Sequence, residues 1–151
     1  MGIAVHFLFI TIRLKGIFFM HMIKHLIAIT YGLPFVIIGV GHFRNPEWFE
    51  PIVPDLLGAP RFWVLVSGVF EILLGLLIFF PRTRRIASLG FVGMLVALYW
   101  ANINMWINDI EVGGTRLSQG GHVLRGFIQI LLIATAAWIG GLVPIRRMRN
   151  R

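Results

Sequence analysis

The side chains able to do chemistry are few and set in apolar surroundings. Arg61-Phe-Trp-Val-Leu-Val-Ser-Gly-Val-Phe-Glu-Ile-Leu-Leu-Gly-Leu-Leu-Ile-Phe-Phe80 carries a single carboxylate, Glu71, near its middle. A charge at the centre of a membrane-spanning helix costs about 3 kcal/mol even on the lenient insertion scale, so such a group normally faces a partner or a wet cavity. A second polar set lies in Gln119-Gly-Gly-His-Val-Leu-Arg-Gly-Phe-Ile-Gln129. There His122, Arg125 and Gln129 are spaced three and four apart, which aligns them on one face of a helix. Asn102 and Tyr99 stand near the end of a third apolar stretch, and His42 at the end of the first. Glu71, Arg125, Gln129, Asn102, His122, His42 and Tyr99 are therefore the candidate ligand-binding residues. The chemistry expected of them is recognition: Arg125 and Gln129 donating to a ligand carbonyl, Glu71 orienting Arg125 or taking a proton, Asn102 and His42 lining the mouth. No residue is assigned a catalytic or metal-binding role.

An Arg125–Glu71 ion pair is the simplest way to hold both charges in a bundle, and such a pair serves equally well as a fastening that fixes helix register. Bis-histidine haem ligation by His42 and His122 is set below the more common interfacial histidine. The absence of cysteine excludes dithiol chemistry, disulfides and thiolate metal sites within this chain.

These residues need long apolar elements to carry them. Of the 151 residues, 58% are hydrophobic and 13% charged, against about a quarter charged in an ordinary soluble domain. The mean hydropathy is +0.84. About 20 apolar residues suffice to cross a hydrocarbon core of about 30 Å. Four stretches qualify, near 23–41, 62–80, 86–104 and 119–142. The sequence thus predicts an all-α fold, a transmembrane four-helix bundle forming one domain over 21–151. Residues 1–20, where Arg13 and Lys15 interrupt the apolar run, are expected to be an interfacial or poorly ordered extension. Met20 and Met22 are alternative natural starts. Pro34 is a candidate kink in the first span, and Gly32, Gly39 and Gly41 invite close approach of another helix. Gly90, Gly93, Ala97 and Ala101 form a small-residue seam in the third.

Between the first two spans, Asn45-Pro-Glu has the pattern of a helix start. Trp48, Phe49, Ile52, Val53, Leu56 and Leu57 follow as an amphipathic segment at the membrane interface. Trp48, Trp100 and Trp106 read as belt residues, and His25, beside Lys24, as a headgroup contact. Orientation comes from basic residues in short loops. Arg13, Lys15, Lys24, Arg82, Arg84, Arg85 and the terminal Arg146, Arg147, Arg149 and Arg151 fall on one side. Glu47, Glu50, Asp55, Asp109 and Glu111 fall on the other. Both termini are then cytoplasmic and the amphipathic segment extracytoplasmic, as in a bacterial cytoplasmic (inner) membrane protein. The formal charge of +8 is a topology signal with anionic-lipid contact, and nucleic acid is not expected as a partner.

Several motifs in order resemble the DoxX-like family of small membrane proteins: Gly41-His-Phe, Pro46-Glu-Trp-Phe, Leu57-Gly-Ala-Pro, Ser67-Gly-Val-Phe-Glu71, Pro81-Arg-Thr-Arg-Arg85, Ala101-Asn-Ile-Asn-Met105 and His122-Val-Leu-Arg-Gly-Phe-Ile-Gln129. The resemblance covers about 23–142 and implies a four-helix transmembrane bundle. Glu71, Asn102, Arg125 and Gln129 match the family's recurrent polar positions. The family includes a small subunit of a thiosulfate:quinone oxidoreductase, a component associated with oxidative-stress enzymes, and a similar animal protein that assists receptor assembly. The expectation is an accessory membrane subunit that binds a lipid-like or quinone ligand and is not an enzyme on its own. Its partners would be the bilayer and other membrane proteins, an oxidoreductase complex among them, or further copies of itself. The alternative is an assembly partner of other membrane proteins without ligand chemistry. A small-solute or proton pathway is a weaker third option, because the inner half offers no polar relay.

Overall fold

The computed structural model describes residues 2–112 and 114–143, with side chains from residue 13 onward except that of residue 17. The four terminal arginines on which the topology expectation partly rests lie outside the described residues. Four helices carry the fold: α1 (Gly2–Arg44), α2 (Pro60–Leu77), α3 (Arg84–Ile107) and α4 (Gln119–Ile139). Each contains a window long and apolar enough to cross a membrane. Among the described residues no strand forms, only an isolated bridge between Val112 and Thr115 in the α3–α4 turn.

α1 is longer than the sequence predicts. It runs for 43 residues through Pro34, roughly 65 Å at the standard rise. No break separates the first 20 residues from the first span. α2 begins with Pro60 in its first turn, as its fixed φ favours. Gly58 and Ala59 just before it both adopt positive φ, 55° and 42°, which reverses the chain sharply. α4 is capped by Ser118, whose Oγ accepts from Gly121 N at 3.3 Å.

The helices associate as two pairs. α1 and α2 meet along a glycine seam in which Gly32 faces Gly75 and Gly39 faces Gly68. The seven-residue spacing on both helices keeps the glycines on one face of each antiparallel helix. A Cβ on Gly39 would lie 2.8 Å from Gly68 O, so the backbones touch only because side chains are missing. Of the seam expected in α3, Gly90 packs under Leu74, whereas Gly93 meets nothing within 4 Å.

The core joins the pairs at one end. Tyr31, Phe35 and Phe91 form an aromatic cluster with centroids 4.7–5.3 Å apart. Ala28, Leu74, Ile78, Ala87, Leu95, Ala136 and Ile139 surround it. Tyr31 Oη donates to Leu132 O at 3.0 Å, a direct tie between α1 and α4. Arg84 closes this end. Buried at the start of α3, it donates through Nε to Ile78 O at 3.1 Å and through Nη2 to Phe79 O at 3.1 Å and His25 Nδ1 at 2.9 Å. It thus satisfies carbonyls left open by the end of α2. His25, expected as a headgroup contact, is exposed and also accepts from Arg84, which brings α1 into this knot. Lys24 Nζ lies 5.4 Å from the Trp138 ring, a cation–π contact between α1 and α4.

The segment between α1 and α2 is three short 3-10 turns, Pro46–Trp48, Glu50–Ile52 and Asp55–Leu57, not one amphipathic helix. Asn45 makes no side-chain cap bond, and Pro51 and Pro54 prevent a longer ladder from forming. The segment is nonetheless anchored. Ile52 is buried, and its carbonyl accepts from Asn104 Nδ2 at 3.1 Å. Leu57 O accepts from Trp63 Nε1 at 3.3 Å, while Trp48, Leu56 and Leu57 are exposed.

Candidate functional site

Away from the aromatic cluster the two helix pairs part around a cavity of about 950 Å³, at the upper end of the range of small-molecule sites. Its walls are mostly apolar: Ile38, Phe70, Leu74, Met94, Leu98 and Leu132 line it, and Phe49, Ile52, Val53 and Leu57 of the 3-10 segment cover one side. Among the described polar residues, His42, Ser67, Glu71, Asn102, Arg125 and Gln129 also line it. Five of the seven residues expected at a site are therefore brought together by all four helices. His122 and Tyr99 are not among the lining residues. His122 is buried and stacks on Trp106, centroids 5.7 Å apart and planes 2° apart. Trp106 in turn donates to Gln119 Oε1 at 2.7 Å. Tyr99 packs its hydroxyl over Gly126 of α4.

The pairing inside the cavity differs from the expected Arg125–Glu71 bridge. Glu71 lies between Gly68 and Gly75 on the face of α2 that meets α1, so its neighbour is on α1. Its Oε2 is 3.3 Å from His42 Nδ1, with both side chains more than nine-tenths buried. Neither atom has a hydrogen-bond partner, because the approach lacks hydrogen-bond alignment. Phe49 closes over the imidazole edge-on, 4.0 Å between centroids. The histidines expected as alternative haem ligands thus have separate surroundings, His42 with Glu71 and Phe49, and His122 with Trp106.

Arg125 belongs to the opposite wall. Its Nε donates to Asn102 Oδ1 at 2.6 Å and its Nη1 to Met105 Sδ at 3.2 Å. Asn102 Nδ2 donates to Gln129 Oε1, and Gln129 Nε2 to Leu95 O at 2.7 Å. This is one directed chain, guanidinium to amide to amide to backbone carbonyl, and it clamps α3 to α4. It commits one of the two N–H donors of Gln129 to the α3 backbone and leaves the other for a ligand. Arg125 keeps donor capacity for a ligand, since a guanidinium has five N–H groups. Among the described residues, no carboxylate lies within 4.0 Å of it.

Sequence reasoning missed the Arg84–His25 knot and the Tyr31–Leu132 tie. The first had a signal: Pro81-Arg-Thr-Arg84 is a turn short enough to carry Arg84 back over the carbonyls at the end of α2. Arg116, which pairs with Asp109 at 2.9 Å and Glu111 at 3.5 Å, was likewise not singled out. That exposed cluster shapes the α3–α4 turn and adds little stability.

The class that fold and site define is an all-helical protein with four membrane-length helices around an amphiphilic cavity. Over residues 32–140 the chain matches the family described as Domain of unknown function (DUF8561), and it belongs to that family. No curated protein and no solved structure matches it.

Proposed function

We propose that the protein is an integral membrane protein of the bacterial cytoplasmic membrane, with four spans and both termini cytoplasmic, that binds a lipid-like or quinone ligand in this cavity. It acts as an accessory membrane subunit, DoxX-like in the sense of the motifs above, and not as an enzyme on its own. The observation that carries this is the cavity itself: about 950 Å³ of mostly apolar space into which two buried and mutually misaligned polar groups, His42 and Glu71, and an arginine without a carboxylate are turned. A packed bundle held by a register-fixing ion pair would need neither the space nor the unmatched groups.

The test is saturable quenching of intrinsic tryptophan fluorescence by a short-tailed quinone and by a brominated lipid, in wild type and in Ala97→Phe. The phenylalanine fills a cavity-lining position. Saturable quenching in wild type that weakens at least tenfold in Ala97→Phe is expected. Equal quenching of both proteins by every probe sinks the proposal.

One observation favours the assembly alternative. Ile86, Leu89, Gly93, Val96, Trp100, Ile103 and Ile107 alternate by three and four along α3 and are all exposed. That is the spacing of a helix-packing stripe, with Gly93 allowing close approach at its centre. A stoichiometric membrane partner that co-purifies with wild type and is lost in Gly93→Leu would establish it.

A further inference from the structure

We infer that the cavity selects an amphiphile with a monoanionic headgroup, a single-chain carboxylate such as a fatty acid, held at Arg125. This rests on the cavity being a ligand site, as proposed above, and narrows what fills it.

The inference comes from how each charge in the cavity is compensated. Glu71 is more than nine-tenths buried and has His42 3.3 Å away, so its nearest ionisable neighbour belongs to the α1–α2 wall. Arg125 has no ionisable neighbour at such a distance among the described carboxylates. Its guanidinium does not shed its proton in proteins. Its partners are the neutral amide oxygen of Asn102 and the thioether of Met105, and no described carboxylate approaches within 4.0 Å. The amide chain through Asn102 and Gln129 to Leu95 O holds the guanidinium in place without neutralising it. A half-buried guanidinium held by an amide oxygen and a thioether at the wall of a mostly apolar cavity, with N–H donors left over, is the arrangement that a charge-assisted hydrogen bond to an anion completes.

Arg84 is the internal control. This buried arginine likewise has no described carboxylate within 4.0 Å, but three acceptors of its own chain, two carbonyls and an imidazole nitrogen, take up its donors, and it does not line the cavity. The volume argues for the rest of the ligand. A headgroup alone does not fill about 950 Å³, and the walls beyond the polar groups are Leu, Ile, Met and Phe, which match an alkyl chain. A neutral quinone lacks the charge that Arg125 leaves open.

The experiment compares 9,10-dibromostearate with its methyl ester, which has the same tail and quencher without the charge. Quenching is read in wild type, Arg125→Gln, Arg125→Lys, Trp63→Phe and Ala97→Phe, each in a non-ionic detergent. Trp63 lines the cavity but is also two-fifths exposed, so binding in the cavity is read as the Trp63-dependent quenching that is lost when Ala97→Phe fills the cavity, and the remainder reports partition into the micelle. The acid is expected to bind at least tenfold more tightly than the ester. Arg125→Gln should bring the acid to the level of the ester without moving the ester, and Arg125→Lys should recover part of the difference. If acid and ester give equal cavity quenching in wild type, the headgroup inference is overturned while the cavity remains a lipid site. If neither produces Trp63-dependent quenching that Ala97→Phe removes, the ligand-site proposal falls as well.

Discussion

Two arginines stand between the helices of this bundle, Arg84 buried and Arg125 half-buried, and their surroundings divide the molecule. Arg84 is packed where the helices are closed, beneath the aromatic cluster. Its guanidinium faces Ile78 O, Phe79 O and His25 Nδ1, acceptors fixed by the end of α2 and by α1. Arg125 is held where the helix pairs separate, by one amide oxygen and one sulfur, with the cavity beside it. The first is surrounded by acceptors from its own chain, so its charge is dispersed into structure. The second is oriented without being neutralised. In a low-dielectric interior an arginine of the second kind is tolerated at a cost, and that cost distinguishes a fastening from a site.

The sharpest way to break the comparison is to remove the fastening. Arg84→Ala leaves the buried carbonyl of Ile78, and the less buried Phe79 carbonyl and exposed His25 ring, without their donor. It should lower stability by about 3 kcal/mol, since one to several buried groups lose their partner at once. Reversible unfolding in mixed micelles reads this. A loss below about 1 kcal/mol would mean that Arg84 is no more structural than Arg125.

Next comes the seam that places His42 beside Glu71. Gly39→Ala puts a Cβ against Gly68 O and Ile72 Cγ1, both at 2.8 Å. The helices must separate, at about 2 kcal/mol by analogy with overpacked cores. Gly93→Ala, which meets nothing within 4 Å, should not destabilise at all. Equal effects from the two would show that the glycines of α1 are not contact residues.

Gln129→Leu removes the link between Asn102 and Leu95 O. It should cost about 1 to 2 kcal/mol, because a buried carbonyl and amide lose a partner. The same change should loosen Arg125 and weaken binding of the carboxylate probe more than binding of its ester. Unchanged selectivity would separate the amide chain from the site.

The smallest effect on stability belongs to the site arginine. Arg125→Gln should change unfolding by less than about 1 kcal/mol, in either direction, because the charge removed was uncompensated. Thermal unfolding in the same micelles checks this, and a loss comparable to that of Arg84→Ala would make both arginines fastenings.

Much of this was legible before any coordinates. The four membrane-length helices follow from composition, since a helix of that length can be read from its own residues. Pro60 in the first turn of α2 and the close approach at Gly32 and Gly39 were also legible, because proline and glycine act through backbone geometry that travels with the residue. Membership of one polar constellation was legible for Glu71, His42, Asn102, Arg125 and Gln129, from their heights along apolar stretches. Height placed Tyr99 there too, and the helix face shared with Arg125 and Gln129 placed His122; in the folded chain Tyr99 packs over Gly126 and His122 stacks on Trp106 instead. The turn at Asn45-Pro46-Glu47 was legible as a helix start, but how soon each turn ends was not, because a start signal says nothing of the 3-10 geometry that Pro51 and Pro54 impose downstream.

Partner choice was the part the sequence left open. Opposite charges in the same half of the bundle, with Arg125 shallower but long enough to reach inward, suggested that Glu71 pairs with Arg125. In the folded chain Glu71 meets His42 because Gly68 and Gly75, on either side of it, turn that face of α2 onto α1. Arg125 is left to Asn102 on the other pair of helices. The sequence by itself determined which residues lie in long apolar helices and how far along each helix a polar group stands, because both are local properties of a periodic element. Only the tertiary structure decided which of those groups touch, which are satisfied and where space remains. Those depend on the rotation and separation of whole helices, set by close contacts such as the glycine seam far from the polar residues they bring together.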